Sequence, residues 1–175
     1  MIITNVKKPD NAIVKFATQI ITDLQAELPQ YIANGHGPFL AAVYMGDKLI
    51  SKCANTVVMD NCSNNHAEVN AIRAAQEYFG TYDLSPYNLT LYSTSEPCMM
   101  CVGAIMWSGI KTVVYGVQTT KVESITGFDE GFKSNWMNEF KKRGIAVYGN
   151  IKPLSGEKVL KTYMREQRTV YKPTK

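Results

Sequence analysis

Residues 66–101 constrain this chain more than any other stretch. His66-x-Glu68 stands at one end and Pro97-Cys98-x-x-Cys101 at the other. Cys98 and Cys101 are three apart, so on a helix they share a face. Pro97 suits a first helical position, where its missing N–H is no loss. That would put both thiols in a first turn, where unpaired N–H groups and the helix dipole favour the thiolate that metals bind. His66 also stands at a predicted helix start, with Val69, Ile72, Ala75 and Phe79 as the apolar stripe and Gly80 as the stop. A strand over 88–94 lies between the two starts. If one ion is to reach all three side chains, the fold has to bring these helix starts together.

Each half alone has a plain explanation. C-x-x-C serves zinc, redox chemistry or neither, but redox chemistry expects a β-α-β setting near the N-terminus and gives His66 no role. A lone histidine at a helix start is commonly a cap or a solvated side chain. Glu68 alone could be a capping acid or a first-turn carboxylate matched to the dipole. Together the halves read as a metal centre. A structural site would want a fourth ligand, and the other histidine, His36, lies in the glycine-rich loop 33–38. Cys53 and Cys62 lack pair spacing and read as buried or inert thiols. Three ligands leave one position for water, the arrangement of a catalytic zinc. Zinc lowers the pKa of such a water toward roughly 7, and Glu68 would then be a proton shuttle and not a ligand.

The remaining chain supplies the frame. Asp10 is expected to cap a first helix carrying Ile13, Phe16, Ala17, Ile20, Ile21, Leu24 and Leu28, with Pro29 where the pattern fades. Segments 39–45 and 48–53 flank Gly46-Asp47 as a β-hairpin. Further strands are expected over 111–117 and 145–149. Further helices are expected from 98 to about 108, around 132–142 and over roughly 157–167. Gly127 and Gly131 mark a loop, and Pro153 and Gly156 a break. A hairpin followed by α-β-α-β-α-β is a mixed sheet with helices on both faces. The 175 residues fit a single domain, with 153–175 as a C-terminal helix and tail.

No apolar run is long enough to span a membrane, and MIITNVKKPD lacks the parts of a secretory signal, so a cytoplasmic location is expected. The net charge of +4 is mild. Lys141, Lys142 and Arg143 begin a basic thickening toward the end, but no dense basic block interleaves with aromatics. Nucleic acid is therefore not the expected partner.

HAEVNAIR, EPCMMC, VGAIMW and GFDEGF resemble the cytidine and nucleobase deaminase superfamily over roughly residues 37–132, and most nearly its bacterial guanine and guanosine deaminase branch. The resemblance implies an α/β fold, a three-layer α-β-α sandwich with a central five-stranded mixed sheet. It implies one Zn2+ per subunit on His66, Cys98 and Cys101, with Glu68 moving protons. It implies a homodimer in which C-terminal segments can exchange. Asn55, eleven residues before His66, matches an asparagine that hydrogen-bonds the base; alternatively it is a turn residue. Phe39 and Trp107 match aromatic pocket positions, with core packing as the other reading. Glu130, with Asp129 beside it, matches a second carboxylate, which suits guanine because it accepts from N1–H and the 2-amino group; otherwise both are solvated loop acids.

Two departures stand out. Ser63-Asn64-Asn65 replaces the usual D-P-T-A before the histidine, and the C-terminus is longer than in short guanine deaminases, making Tyr171 a candidate contact if the tail closes the pocket. The expected activity is hydrolysis of guanine to xanthine and ammonia. Guanosine or another aminopurine or aminotriazine, tRNA wobble adenosine, and an inactive zinc-stabilised binding module are the alternatives.

Overall fold

A computed structural model describes residues 2–3, 11–132 and 135–172. The expected cap Asp10 lies outside the described residues. Helix α1 (Asn11–Ala33) carries the apolar stripe, with Ile21, Leu24 and Leu28 buried. It does not end at Pro29 but runs one turn past it, and Ile32 is buried on that turn. Proline removes one helical hydrogen bond, and burial of the following turn offsets that loss.

Strands β2 (Leu40–Met45) and β3 (Lys48–Ala54) form the hairpin, and Gly46 takes the positive φ of 61° that its two-residue turn needs. Helix α2 (Ala67–Phe79) follows and stops at Gly80, which is left-handed as expected. Strand β4 (Thr90–Ser95) leads to helix α3 (Met99–Ser108), and β5 (Thr112–Val117) follows. Next comes a helix absent from the sequence reading, α4 (Thr119–Thr126). Its eight residues, TTKVESIT, are mostly polar and too short to display a period, and Val122 is its one fully buried apolar anchor.

Helix α5 (Trp136–Lys142), strand β6 (Ala146–Gly149) and helix α6 (Pro153–Arg165) complete the order. Pro153 and Gly156 do not break the chain. Proline opens α6 within its first two positions, and Gly156 is buried inside the helix, where a Cβ would strike Val117 and Gln25.

The sheet has six strands in the order β1-β6-β5-β4-β2-β3, one more than the five expected. The addition is a two-residue edge strand, β1 (Ile2–Ile3), antiparallel to β6 and too short to leave a sequence pattern. β2 is antiparallel to β3 and to β4, whereas β4, β5 and β6 run parallel. α1 and α6 cover one face; α2 packs on β2 and β3 on the other and meets α3. This is the expected mixed sheet between helical layers. No described helix is long and apolar enough to cross a membrane.

The register creates one shared edge. Leu40 at the start of β2 pairs with Ala54 at the end of β3, and Ala41 pairs with Ser93 near the end of β4. The carboxyl ends of β3, β4 and β5 therefore open on the same side, the usual place for a ligand in an α/β sheet.

Packing under the parallel half is close. Tyr115 on β5 is fully buried, and a Cβ on Gly149 of β6 would run into its ring and hydroxyl. Gly149→Ala is expected to cost about 1–3 kcal/mol by overpacking. Denaturant unfolding measures this, and an unchanged midpoint would show that the ring can move aside.

Candidate active site

Both halves of the motif reach the shared edge at helix N-termini. His66 and Cys98 occupy the positions immediately before α2 and α3, in extended backbone, and neither side chain makes a capping hydrogen bond. They are thus available to a third party. Pro97 lies one residue earlier than expected, ahead of the cap, so Cys98 itself precedes the first turn and Cys101 lies within it.

His66 Nδ1 is 3.5 Å from Cys98 Sγ and 3.7 Å from Cys101 Sγ, and the two sulfurs are 3.6 Å apart. These separations match the edges of a tetrahedron whose centre lies about 2.0–2.3 Å from each donor, the bond lengths of zinc to nitrogen and sulfur. The three form a group able to hold a metal ion, and neither Cys53 nor Cys62 belongs to it. Both of those thiols are half-buried and free.

The protonation pattern prepares the ligands. Hydrogen bonding from Cys101, with His66 adding its contact and charge, holds the Cys98 thiol down at about 4 against the opposing effect of burial. Cys101 is pushed up by its contact with Cys98 and by burial. Burial pulls His66 down, but the Cys98 thiolate outweighs it and the net direction is up. Cys98 is therefore the favoured thiolate, and Cys101, pushed well above the ordinary thiol range, holds a proton that a metal would displace.

Glu68, 5% exposed, sits in the first turn of α2. Its Oε1 accepts a 2.9 Å hydrogen bond from Ser93 Oγ on β4, and its Oε2 lies 3.5 Å from Cys101 Sγ. Burial raises its pKa, and the nearby Cys98 charge adds to the shift. A carboxyl so placed holds its proton more readily than an exposed one and can pass it on.

A cavity of about 380 Å³ opens onto this centre. Phe39, Asn55, Asp129 and Glu130 all line it, as do His66, Glu68 and Cys98. Asn55 is buried, with its backbone N–H donating to Phe39 O at 3.0 Å and its Oδ1 accepting from Val57 N at 3.3 Å. The expected pocket aromatic Trp107 is not there. It is 82% exposed and outside the cavity lining, because position 107 falls on the face of α3 away from the sheet.

Phe128 takes the aromatic place instead, 5.3 Å from the Phe39 ring and 5.0 Å from Tyr171. Tyr171 arrives on the chain after α6. Its hydroxyl accepts from Asn55 Nδ2 at 2.8 Å and lies 3.4 Å from His66 Nε2, and burial raises its pKa. Lys172 and Ser63 also line the cavity.

Ser93, Phe128 and Glu96 were missed in the sequence. Ser93 had no distinct signal, because β4 (TLYSTS) carries Thr90, Thr94 and Ser95 as well and its polar residues do not mark one face. Phe128 had none, as a phenylalanine in GFDEG reads equally as core.

The MafB19-like deaminase family matches residues 17–152. The guanine deaminase of Bacillus subtilis is 40% identical over 96 residues, which cover 55% of this chain and 60% of that relative's length. A tRNA-specific adenosine deaminase of the same organism is 31% identical over 137 residues, 77% of this chain and 80% of the relative. A solved guanine deaminase from Nitrosomonas europaea superposes with a TM-score of 0.79 at 31% identity, covering 93% of this chain and 98% of that one.

Because the fold favours protonated Glu68, its stabilising contribution is present below the ordinary carboxylate range and is lost as pH rises through its raised folded value. In metal-free protein, Glu68→Gln is therefore expected to raise Tm at pH 8 by about 2–4 °C, as roughly 1 kcal/mol does for a chain of this size. The gain should shrink at pH 5. Scanning calorimetry at both pH values reads it, and a gain that grew on acidification would contradict the burial argument.

Proposed function

The chain belongs to the MafB19-like deaminase family, and on that footing we propose that it hydrolyses guanine to xanthine and ammonia with one bound zinc per subunit. One observation carries the reading: a buried carboxyl with a raised pKa faces a His/Cys/Cys group, while three further carboxylates and a buried amide line the same cavity.

Zinc on His66, Cys98 and Cys101 would supply a water activated at neutral pH. Every other task falls to the chain. Ser93 fixes one oxygen of Glu68 and leaves the other to carry two protons in turn, first from the attacking water to the ring nitrogen and then from the resulting hydroxyl to the leaving amine. Glu130, aided by Asp129, accepts from N1–H and the 2-amino group, donors that would be left unpaired against an apolar wall. Asn55 grips the base. Phe39, Phe128 and Tyr171 cover its faces.

The tRNA reading has less support. Glu96, Asp129 and Glu130 line the described cavity against one cation, Lys172, which is unfavourable ground for a phosphate backbone. Guanosine and other amino-heterocycles remain within reach of the same chemistry. The four free cysteines are consistent with a reducing, cytoplasmic setting.

We also propose a homodimer. Met100, Gly103 and Trp107 lie at helical spacing along α3, with both large side chains exposed and open space where a Gly103 Cβ would stand. The C-terminal segment carrying Tyr171 could exchange between protomers. Trp107→Lys is expected to shift the protein from dimer to monomer in sedimentation velocity; a wild type that sediments as a monomer ends this reading.

An ammonia-release assay on zinc-loaded protein with guanine, guanosine, adenine, cytosine, cytidine and a tRNA anticodon stem tests the activity. Release from cytosine or the stem but not from guanine would refute it. Glu68→Gln should lower guanine turnover by about 10²–10⁴. Glu130→Gln should lower it about tenfold or more, equivalent to about 1.4 kcal/mol of transition-state stabilisation. Unchanged turnover in Glu130→Gln would remove that residue from the substrate.

A further inference from the structure

His66 stands just before α2 in extended backbone, and its side chain makes no capping hydrogen bond, so the helix start does not by itself fix the imidazole ring. Its Nδ1 faces the two sulfurs, 3.5 Å from Cys98 Sγ and 3.7 Å from Cys101 Sγ. An imidazole that offers Nδ1 to a metal is neutral and keeps its proton on Nε2, which then calls for an acceptor. Among the described residues that acceptor is the Tyr171 hydroxyl, 3.4 Å away.

Tyr171 lies far along the chain, yet its place is built. Gln167 ends α6 in left-handed backbone, with φ 53°, and its N–H donates to Met164 O at 3.0 Å. Arg168 N–H donates to Tyr163 O at 3.3 Å, and the Tyr163 hydroxyl donates to Thr169 O at 2.6 Å. These bonds tie residues 167–169 to the last turns of α6. The Tyr171 ring then rests on Phe128 at 5.0 Å, and Phe128 is braced by Phe39 at 5.3 Å and Tyr163 at 6.3 Å. Asn55 also holds the hydroxyl. Its Oδ1 is taken by Val57 N at 3.3 Å, so its Nδ2 is the end that donates to Tyr171, at 2.8 Å.

A hydroxyl oxygen has two lone pairs, so Tyr171 accepts from Asn55 and from His66 together. One oxygen thereby ties the metal-facing histidine to a segment locked onto α6. Groups behind a metal-bound imidazole fix its tautomer and ring angle, and losing one costs roughly 10–100-fold in metal affinity. The 3.4 Å contact is long for N–H···O, which points to the lower end of that range.

We propose that Tyr171 is a positioning residue for the metal: its hydroxyl orients His66 through Nε2, so the C-terminal segment sets how firmly zinc is held. This rests on the zinc reading of the site, though not on guanine being the substrate.

The test reads the metal and not turnover. The full chain is loaded with zinc and mixed with excess pyridylazoresorcinol, a chelator that colours on binding zinc. Tyr171→Phe keeps the ring on Phe128 and removes the hydroxyl alone; it should release zinc about tenfold faster than the wild type. Tyr163→Phe frees Thr169 O without touching the catalytic cavity, and should release zinc about threefold faster. In cobalt-loaded protein the visible bands that report the ligand field should shift in Tyr171→Phe, a change that lost packing away from the metal does not produce. Equal release from wild type and Tyr171→Phe, with the cobalt bands unmoved, would overturn the proposal. A raised KM for guanine alongside unchanged release would overturn it too, and make Tyr171 a contact of the base alone. If Tyr171→Phe does not fold, wild-type release from Tyr163→Phe overturns it. A wild type that takes up no zinc ends this proposal and the zinc reading together. Faster release from Tyr171→Phe in a protein that leaves guanine intact would uphold the positioning role and refute the proposed activity alone.

Discussion

Two helix N-termini meeting over the ends of parallel strands are the constraint on which everything else rests. α2 and α3 each bring a set of unpaired N–H groups and a positive dipole end to the same point. Negative charge is stabilised there without any lysine or arginine. Cys98 can be a thiolate in a largely buried setting for that reason as well as through its neighbours. The neighbouring Glu68 is deeper, and burial drives it the opposite way despite the opposing charge of His66. A thiolate and a buried carboxyl with a raised pKa thus stand at adjacent helix starts, set apart by depth and contacts.

The sheet makes that meeting rigid. The antiparallel hairpin brings Phe39 and Asn55 together by a 3.0 Å backbone hydrogen bond, and the pairing of Ala41 with Ser93 fixes both against β4. Ser93 then reaches up to orient Glu68, and the turn after β4 delivers Cys98. A slip of one residue between β2 and β4 would turn Ser93 to the opposite face and leave the carboxyl unsupported. Binding and proton-transfer groups are therefore held by ordinary strand register, while the GFDEG loop and the segment after α6, which carry Glu130 and Tyr171, approach from outside the sheet. Those segments can vary without disturbing the His66, Cys98 and Cys101 group.

Among related folds, that division accounts for similarity both to guanine deaminases and to tRNA adenosine deaminases. In this chain the cavity wall carries Glu96, Asp129 and Glu130.

The grouping of His66, Cys98, Cys101 and Glu68 was legible in the sequence because its spacing is local: three residues at one helix start and two across the other do not depend on what lies elsewhere. Strand and helix order followed from periodicity for the same reason, and failed where elements were too short to show one, as in α4 and β1. Position 107 could not be resolved from sequence, since an aromatic on an apolar helix reads alike whether it faces a pocket or solvent, and only the docking of α3 on α2 and the sheet turned it outward. Tyr171 lies 105 residues from His66, and no local pattern encodes a contact of that reach. The sequence by itself determined which groups could do the chemistry. The tertiary structure decided which aromatics and which carboxylates line the cavity, because those depend on long-range packing and not on spacing.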